Sequence, residues 1–387
     1  MSLFSHFHII PFLKNKELNL FYLAITITTF VESMIGIFVP IYFYNLGYSI
    51  PLILLFFLLD ALFYVIFAYP VAKVVTKIGA KHAILVSTPL SIIYYIGLYF
   101  ITSNWAFFVI LPLLWAIRRA FYYNGYHVNY INHSDRKNRG KEISFLSALA
   151  MIVSVLGPVF GGFIAYYYGF IVLYIIGSMI LILGSLVLMF TPDCYTKLDF
   201  NSKDMLKEFL TKKYAGILIT FIGYSFETII GKIIWPIFLI VILVSTQKTG
   251  LIVTLTMLLS LALFYFIGKI TDKHRKEIMI KFGTALYFFA WVARIFADTA
   301  TKIFFIESYK HVAEKVLYIP YNAKNYDLAE KEGYFKFIVI RDFYFNLIRS
   351  IFYPFLMLIF VINFYPFIIC FILAAVASMG YIFFAKD

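Results

Sequence analysis

Residues 170–190 read Phe-Ile-Val-Leu-Tyr-Ile-Ile-Gly-Ser-Met-Ile-Leu-Ile-Leu-Gly-Ser-Leu-Val-Leu-Met-Phe, without one charged side chain. A bilayer's hydrocarbon layer is about 30 Å thick, and about 20 helical residues cross it. The run therefore predicts a membrane span. Working outward, eleven more apolar segments follow the same rule, at about 18–44, 50–72, 82–102, 105–127, 143–167, 214–244, 249–270, 278–298, 302–323, 336–361 and 364–385. Composition agrees, with 63% hydrophobic, 21% aromatic and 14% charged residues. Soluble domains carry about 25% charged residues, so this chain lacks the side chains for an aqueous surface. Disordered chains are poor in aromatic and branched residues, which excludes disorder. Two cysteines far apart, Cys194 and Cys370, exclude a disulfide framework and a metal-type spacing.

The net charge of +13 could suggest a nucleic-acid partner, but the bases lie between apolar runs. Connections 45–49, 102–104, 166–169 and 363–366 carry no charge, and the other two on that side carry one base each, Lys248 and Lys302. Seven bases fall within spans: Arg118, Arg119, Lys232, Arg294, Lys310, Lys315 and Arg349. Of the 33 Lys and Arg, the remaining 24 lie on the opposite side. This split predicts a multi-pass protein of the cell membrane with both termini cytoplasmic. Lys14 and Lys16 precede the first span and no small-residue cleavage site follows it, so a signal peptide is not expected.

The unusual residues recur at one spacing. Glu32 falls on Glu227 and Gly36 on Gly231 at an offset of 195. Pro40 falls on Pro236, Thr76-Lys77 on Asp272-Lys273, Tyr122 on Tyr318 and Asn129-Tyr130 on Asn325-Tyr326, all at 196. One residue inserted between Gly231 and Pro236 explains the step. The expected fold is thus an all-α membrane protein of twelve transmembrane helices in two parallel six-helix repeats. Residues 1–191 form the first bundle, 192–213 a cytoplasmic linker and 214–387 the second bundle. Parallel repeats about an axis normal to the membrane are a recurrent transporter architecture.

The loop after span 8 reads Gly268-Lys-Ile-Thr-Asp272-Lys273-His-Arg275-Lys276. It resembles the loop signature of the major facilitator superfamily, a Gly, an Asp four residues later and then a basic cluster. The first-half copy, Ala72-Lys-Val-Val-Thr76-Lys77-Ile-Gly79-Ala-Lys81, keeps the later Gly and two bases but has Thr76 where the signature has Asp. In span 5, Gly157-Pro158-Val-Phe-Gly161-Gly162 is similar to the family's Gly-Pro-x-x-Gly-Gly segment. The additional Gly of drug–proton antiporters is Val153 here. The resemblance implies alternating access, helices 1, 4, 7 and 10 around a central cavity, and a gating loop that would hold one conformation. Gly79, Gly268, Asp272, Lys273 and Arg275 would form that gate, which the missing first-half Asp makes asymmetric. Arg341 and Asp342 are its expected partners. Gly157, Pro158, Gly161 and Gly162 would serve close packing or bending.

A charge at mid-bilayer costs about 2.5–3.5 kcal/mol on insertion scales, so each needs a partner or water. Twelve such charges lie away from span ends: Glu32, Asp60, Arg118, Arg119, Glu227, Lys232, Arg294, Glu307, Lys310, Glu314, Lys315 and Arg349. Nine fall on spans 1, 4, 7 and 10. In span 10, Glu307, Lys310, His311, Glu314, Tyr318, Tyr321 and Asn322 share one helical face. They form either the wet wall of a pathway or a self-neutralised stripe, with Lys310–Glu314 and His311–Lys315 pairs in helical register. The expected substrate and proton pathway comprises Glu32, Arg118, Arg119, Glu227, Lys232, Lys310, His311, Glu314, Lys315 and Tyr318. Glu32 facing Arg118 or Arg119 would change its proton affinity as the cavity opens. Asp60 and Arg349 lie outside the four helices and are expected to pair structurally.

No phosphate loop, metalloprotease helix or hydrolase elbow occurs, so no cofactor, no metal and no enzymatic activity are expected. The predicted function is secondary transport of a small solute, coupled to protons, by a monomer that binds no nucleic acid. The alternatives are a multidrug efflux antiporter, a lipid flippase with a sideways opening, or a transport-inactive sensor with neutralised charges and no solute-sized space.

Overall fold

The structure, a computed structural model, describes residues 16–133, 139–207, 210–211, 214–273 and 275–384. Within these, the side chains of 16, 18, 130, 131, 133, 139–148, 204, 206 and 263–273 fall outside the description. The helices are α1 (Lys16–Gly36), α2 (Phe38–Asn45), α3 (Ile50–Ile78), α4 (Ala80–Tyr99), α5 (Trp105–His133), α6 (Arg139–Tyr167), α7 (Phe170–Met189), α8 (Ser202–Lys207), α9 (Ala215–Ile229), α10 (Trp235–Leu243), α11 (Thr246–Lys273), α12 (Lys276–Ala293), α13 (Ala300–Glu332), α14 (Tyr334–Ile362), α15 (Pro366–Ser378) and α16 (Tyr381–Phe384). With α1–α2, α9–α10 and α15–α16 each read as one column, the described residues build twelve long columns joined by short turns.

Ten of these columns are long and apolar enough to cross a membrane. The exceptions are α11, in part outside the description, and α13. The 33-residue α13 is interrupted by Lys302, Glu307, Lys310, Glu314 and Lys315, so its hydropathy is too low although its length suffices. This is a multi-pass, all-helical membrane fold.

Two columns break at related places. A π-turn, Ile230–Ile234, joins α9 to α10, and Pro236 follows. Proline has no N–H to donate to the carbonyl four residues back, here Lys232, so the regular ladder cannot continue. The Trp235 N–H instead bonds the Ile230 carbonyl, five residues back. Such a turn accommodates one extra residue. The step from 195 to 196 falls there. In the first column, the break between α1 and α2 at Ile37 lies between Gly36 and Pro40, the matched positions.

Glycines set the seam between helices before and after the 192–213 segment. A Cβ on Gly157 would overlap Ser33 and Met34, and one on Gly161 the Met34 carbonyl, so α6 lies directly on α1. A Cβ on Gly162 would overlap the Thr246 carbonyl, and one on Gly250 the Pro158 carbonyl, so the same helix lies on α11. The Thr246 hydroxyl donates to Gly162 O at 3.2 Å and Thr254 to Val155 O at 2.9 Å. Small residues permit this approach, and side chain-to-carbonyl bonds reinforce it where no water competes. Beside the seam, α2 touches α10; on the opposite flank α14 packs along α3 and meets α5.

At the linker end, Gly79 turns from α3 into α4 with φ +90°, a conformation that suits only glycine. A Cβ there would overlap the Asp193 carboxylate. Asp193 Oδ1 accepts from the Lys81 N–H at 2.9 Å and the Cys194 N–H at 2.8 Å, and Oδ2 meets His82 Nδ1. The Lys81 ammonium bonds the Thr191 carbonyl at 3.0 Å. Asp193 thus places a carboxylate on the amino-terminal turn of α4, where the helix dipole favours it. Phe200, further along the same segment, is buried between Tyr69 of α3 and Phe335 of α14, with ring centroids 6.0 and 6.5 Å away. On the other gating loop, Gly268, Asp272 and Lys273 lie on the α11 backbone, but their side chains fall outside the described residues. Arg275 is exposed and pairs with Glu277 at 3.6 Å.

Gly162→Leu is expected to overpack the α6–α11 seam at a cost of about 1–3 kcal/mol. Gly36→Ala, which meets nothing within 4 Å, is expected to be neutral. The Tm of each purified variant in one detergent measures the difference. Asp193→Ala removes a cap worth about 0.5–2 kcal/mol and lowers Tm, and Gly79→Ala does the same through backbone strain.

Candidate functional site

A single guanidinium, Arg119, shows how the interior is organised. Its Nη2 pairs with Asp60 of α3 at 2.9 Å and donates to Asn346 of α14 at 3.0 Å. The group lies over the ring of Tyr64 at 4.7 Å. Three helices, one of them from the chain's second half, therefore converge on one cation. The Asn346 amide in turn donates to the Asp342 carbonyl at 2.7 Å.

Below this cluster, toward the linker end, lies a cavity of about 540 Å³. Its α5 wall is Arg119, Tyr123 and His127, with Tyr64 beside it from α3. Tyr224, Thr228 and Lys232 come from α9 and the π-turn; Arg341, Asp342, Phe345, Asn346 and Arg349 come from α14. The longest wall is α13, with Glu314, Lys315, Tyr318, Tyr321, Asn322, Asn325 and Tyr326. Those seven recur at steps of one, three and four residues, one face of a helix. Toward the linker end, Tyr326 stacks on Tyr334 at 6.1 Å, and the His127 ring lies 6.0 Å from Tyr334.

The charges of the cavity divide into matched and unmatched. Lys310 bonds Glu314 at 2.8 Å, with His311 Nδ1 also 3.4 Å from that carboxylate. Arg341 pairs with its neighbour Asp342 at 2.8 Å. Among the described residues, Lys232, Lys315 and Arg349 have no carboxylate within ion-pair distance. Arg349 reaches the Thr228 hydroxyl at 3.5 Å and faces the rings of Tyr224 and Phe345 at 6.0 Å each.

Behind the α13 wall lies Glu227, 3% exposed. Its Oε1 accepts from the hydroxyls of Tyr318 and Tyr381, the latter at 3.1 Å, and its Oε2 from Tyr287 at 3.0 Å. The two tyrosine hydroxyls on Oε1 also touch each other at 2.7 Å. No cation pairs with this carboxylate among the described residues. Tyr318 is both a Glu227 ligand and a cavity wall, so one hydroxyl separates the acid from the hollow.

Glu32, the matched residue, is held differently. Arg118 Nη1 pairs with it at 2.7 Å, while Arg118 Nε donates to Ser91 at 2.8 Å. Trp115 and Tyr122 flank the guanidinium at 4.8 and 4.6 Å. Ser91 on α4 and Tyr287 on α12 are themselves 196 positions apart, and each bonds the charged centre of its own half.

Sequence reasoning placed four of its pathway residues on the cavity wall with a charge: Arg119, Lys232, Glu314 and Lys315. Tyr318 lines it too, and Lys310 and His311 stand behind Glu314. Neither Glu32 nor Arg118 lines the cavity, and no α1 residue does; α3 and α14 contribute instead. Of the expected helices 1, 4, 7 and 10, the last three (α5, α9 with its π-turn, and α13) line this cavity and the first does not. Arg349 is a wall residue rather than a structural partner, and Asp60 is the partner of Arg119. Glu307 faces away, paired with Arg294 at 2.7 Å between Trp235 and Trp291. His311 pairs with Glu314 rather than Lys315. Reasoning from single helices assigned Arg341 and Asp342 to the gate and Arg349 to structural pairing and did not name Asn346, although Arg341, Phe345 and Arg349 recur four residues apart on α14 and carry that signal.

The sequence family described as Major Facilitator Superfamily matches residues 21–309. No curated protein matches the chain. With the match running from α1 into α13 and covering well over half of a multi-pass helical fold with a polar cavity inside, the chain belongs to the Major Facilitator Superfamily, a family of membrane transporters.

Proposed function

We propose that the protein is a proton-coupled secondary transporter of a small solute that works by alternating access. The observation that carries this reading is the cavity between the two matched sets of helices, polar on every wall and about 540 Å³ in volume. Small-molecule sites occupy roughly 300–1,000 Å³. The solute-sized hollow and its unmatched bases argue against a transport-inactive sensor. Its polar lining is poorly suited to a lipid or an apolar drug.

In this reading residues 1–191 and 214–387 are two parallel six-helix bundles, and all twelve columns cross the cell membrane with both termini cytoplasmic. The bundles rock about the site as a monomer. The glycine seam of α6 and α11 closes one face of the cavity. Arg119 with Asn346, and the Tyr326–Tyr334–His127 group, are contacts that must separate or re-form as the other face opens. The gating role of Gly79 acts through its turn and Asp193; Gly268, Asp272, Lys273 and Arg275 supply the second gate. Gly157, Pro158, Gly161 and Gly162 serve packing.

Proton coupling is assigned to Glu227. A carboxylate paired with a guanidinium has little reason to take up a proton, and Glu32 is so paired with Arg118. Glu227 has only hydroxyl partners: Tyr287 from α12, Tyr318 from α13 and Tyr381 from α16. The charged groups on the elements around it are Lys310 and Glu314 on α13, paired with each other, Lys232 on the π-turn, Arg294 just past α12, paired with Glu307, and Arg341, Asp342 and Arg349 on α14. A hydroxyl can donate to the carboxylate or accept from the acid, so the cage holds either protonation state.

In proteoliposomes, Glu227→Gln is expected to abolish uptake driven by a pH gradient while leaving solute counterflow. Glu32→Gln leaves Arg118 buried and unpaired, which costs about 3–5 kcal/mol and lowers Tm. Normal, equally pH-dependent transport by Glu227→Gln would sink the coupling assignment. Transport of no solute by the wild-type protein would sink the function itself.

A further inference from the structure

We infer that the solute is a small organic dianion, a phosphate monoester or a dicarboxylate, held by Lys232, Lys315 and Arg349. This rests on the transport reading of the same cavity and goes beyond it.

The first argument is charge matching. Among the described residues, five Lys and Arg side chains and two acids line the cavity. Arg119 is matched by Asp60, Arg341 by Asp342, and Glu314 by Lys310. Three cations remain, from the π-turn, α13 and α14, so they surround the hollow from three helices. Glu32 and Glu227 act on Lys232 through space, but neither pairs with it. Even with Glu227 ionised the centre keeps an excess of two positive charges. A dianion cancels that excess; a neutral solute or a cation leaves like charges facing one another in a bilayer-spanning bundle.

The second argument is position. Lys315 is the counterpart of Arg119 at the 196 offset, and both line the cavity. Arg119 is locked into a contact between helices of both halves, whereas Lys315 is not. Lys232 owes its place to the π-turn and Arg349 to the flank of α14, and neither position is required to close a salt bridge. A guanidinium offers a planar fork that fits carboxylate and phosphate oxygens, and an ammonium offers a mobile point charge. Tyr224, Tyr318 and Tyr321 add hydroxyls and ring edges for an organic body. Coupling has a physical form here, since a proton on Glu227 raises the local positive charge by one and strengthens the hold on the anion.

The test uses the full-length protein in nanodiscs, with glucose 6-phosphate and succinate as dianion probes. Glucose and choline are the neutral and cationic controls, at constant ionic strength. At least one dianion is expected to raise Tm saturably, with the controls silent. The phosphate and dicarboxylate arms separate the two chemistries. Lys315→Gln and Arg349→Gln should each weaken that binding at least tenfold without lowering the unliganded Tm, and Lys315→Arg should retain most of it. A shift with glucose or choline and none with either dianion overturns the inference, as does unchanged dianion binding in both neutralised variants. Transport of a neutral or cationic solute overturns it while leaving the transporter reading intact. Dianion binding without counterflow in proteoliposomes upholds the anion site and sinks the transporter reading.

Discussion

A guanidinium inside a bilayer-spanning bundle has neither water to hydrate it nor a way to lose its charge, so its neighbours must neutralise it in place. Among the described residues the structure solves this three times between separate elements with one construction: Arg118 with Glu32, Arg119 with Asp60, and Arg294 with Glu307, each beside one or two aromatic rings. The rings fill the flanks a water shell would occupy and add a weak attraction of their own. The arrangement is also directional. Each pair ties two elements, α1 to α5, α3 to α5 and the turn after α12 (Arg294–Phe296) to α13. Removing one partner strands a charge and releases an interhelical contact together. With those three bridges complete, the unmatched bases of the cavity stand out as a different class.

The two halves use matched positions for different ends. Glu32 and Glu227 occupy equivalent sites, yet one meets a guanidinium and the other three hydroxyls. The reason lies on the facing helix, where Arg118 is replaced by Glu314 at the 196 offset, and Glu314 turns to Lys310. A second acid beside Glu227 could not provide its counter-charge, so the tyrosines of α12, α13 and α16 close in instead. Two positions related by the sequence offset thus hold one acid paired with a guanidinium and one surrounded by hydroxyls, the second being the acid the proposed coupling uses. The π-turn adds to this asymmetry, because its extra residue breaks strict equivalence just where Lys232 enters the wall.

Much of this was legible in the sequence. Ten apolar columns, the Lys310–Glu314 pair and a contact of Glu32 with Arg118 or Arg119 follow from periodicity, length and the cost of buried charge. The repeat offset even located the inserted residue, although its form as a π-turn required the backbone. What could not be read was which faces meet. Helical spacing puts Arg341, Asn346 and Arg349 on one side of α14, but only packing shows that this side turns to the cavity while Glu32 turns to Arg118 behind it. Nor does spacing reveal that Asp193, more than a hundred residues away in the chain, supplies a carboxylate to the first turn of α4, beside a loop that has Thr76 where the resemblance expects an Asp.

That last substitution bears on how the proposed motion is transmitted. Asp193 binds the start of α4, and Phe200 in the same short segment is wedged between α3 and α14. The segment joining the two halves is therefore anchored at one point to the first and at another to a helix of each. A rocking motion that separates α3 from α14 must strain or release Phe200, while the Asp193 anchor stays with α4. The connection then acts as a short tether with a fixed root rather than as a slack loop. Its seven-residue reach from Asp193 to Phe200 limits how far the linker ends of the two bundles can part before that aromatic contact breaks.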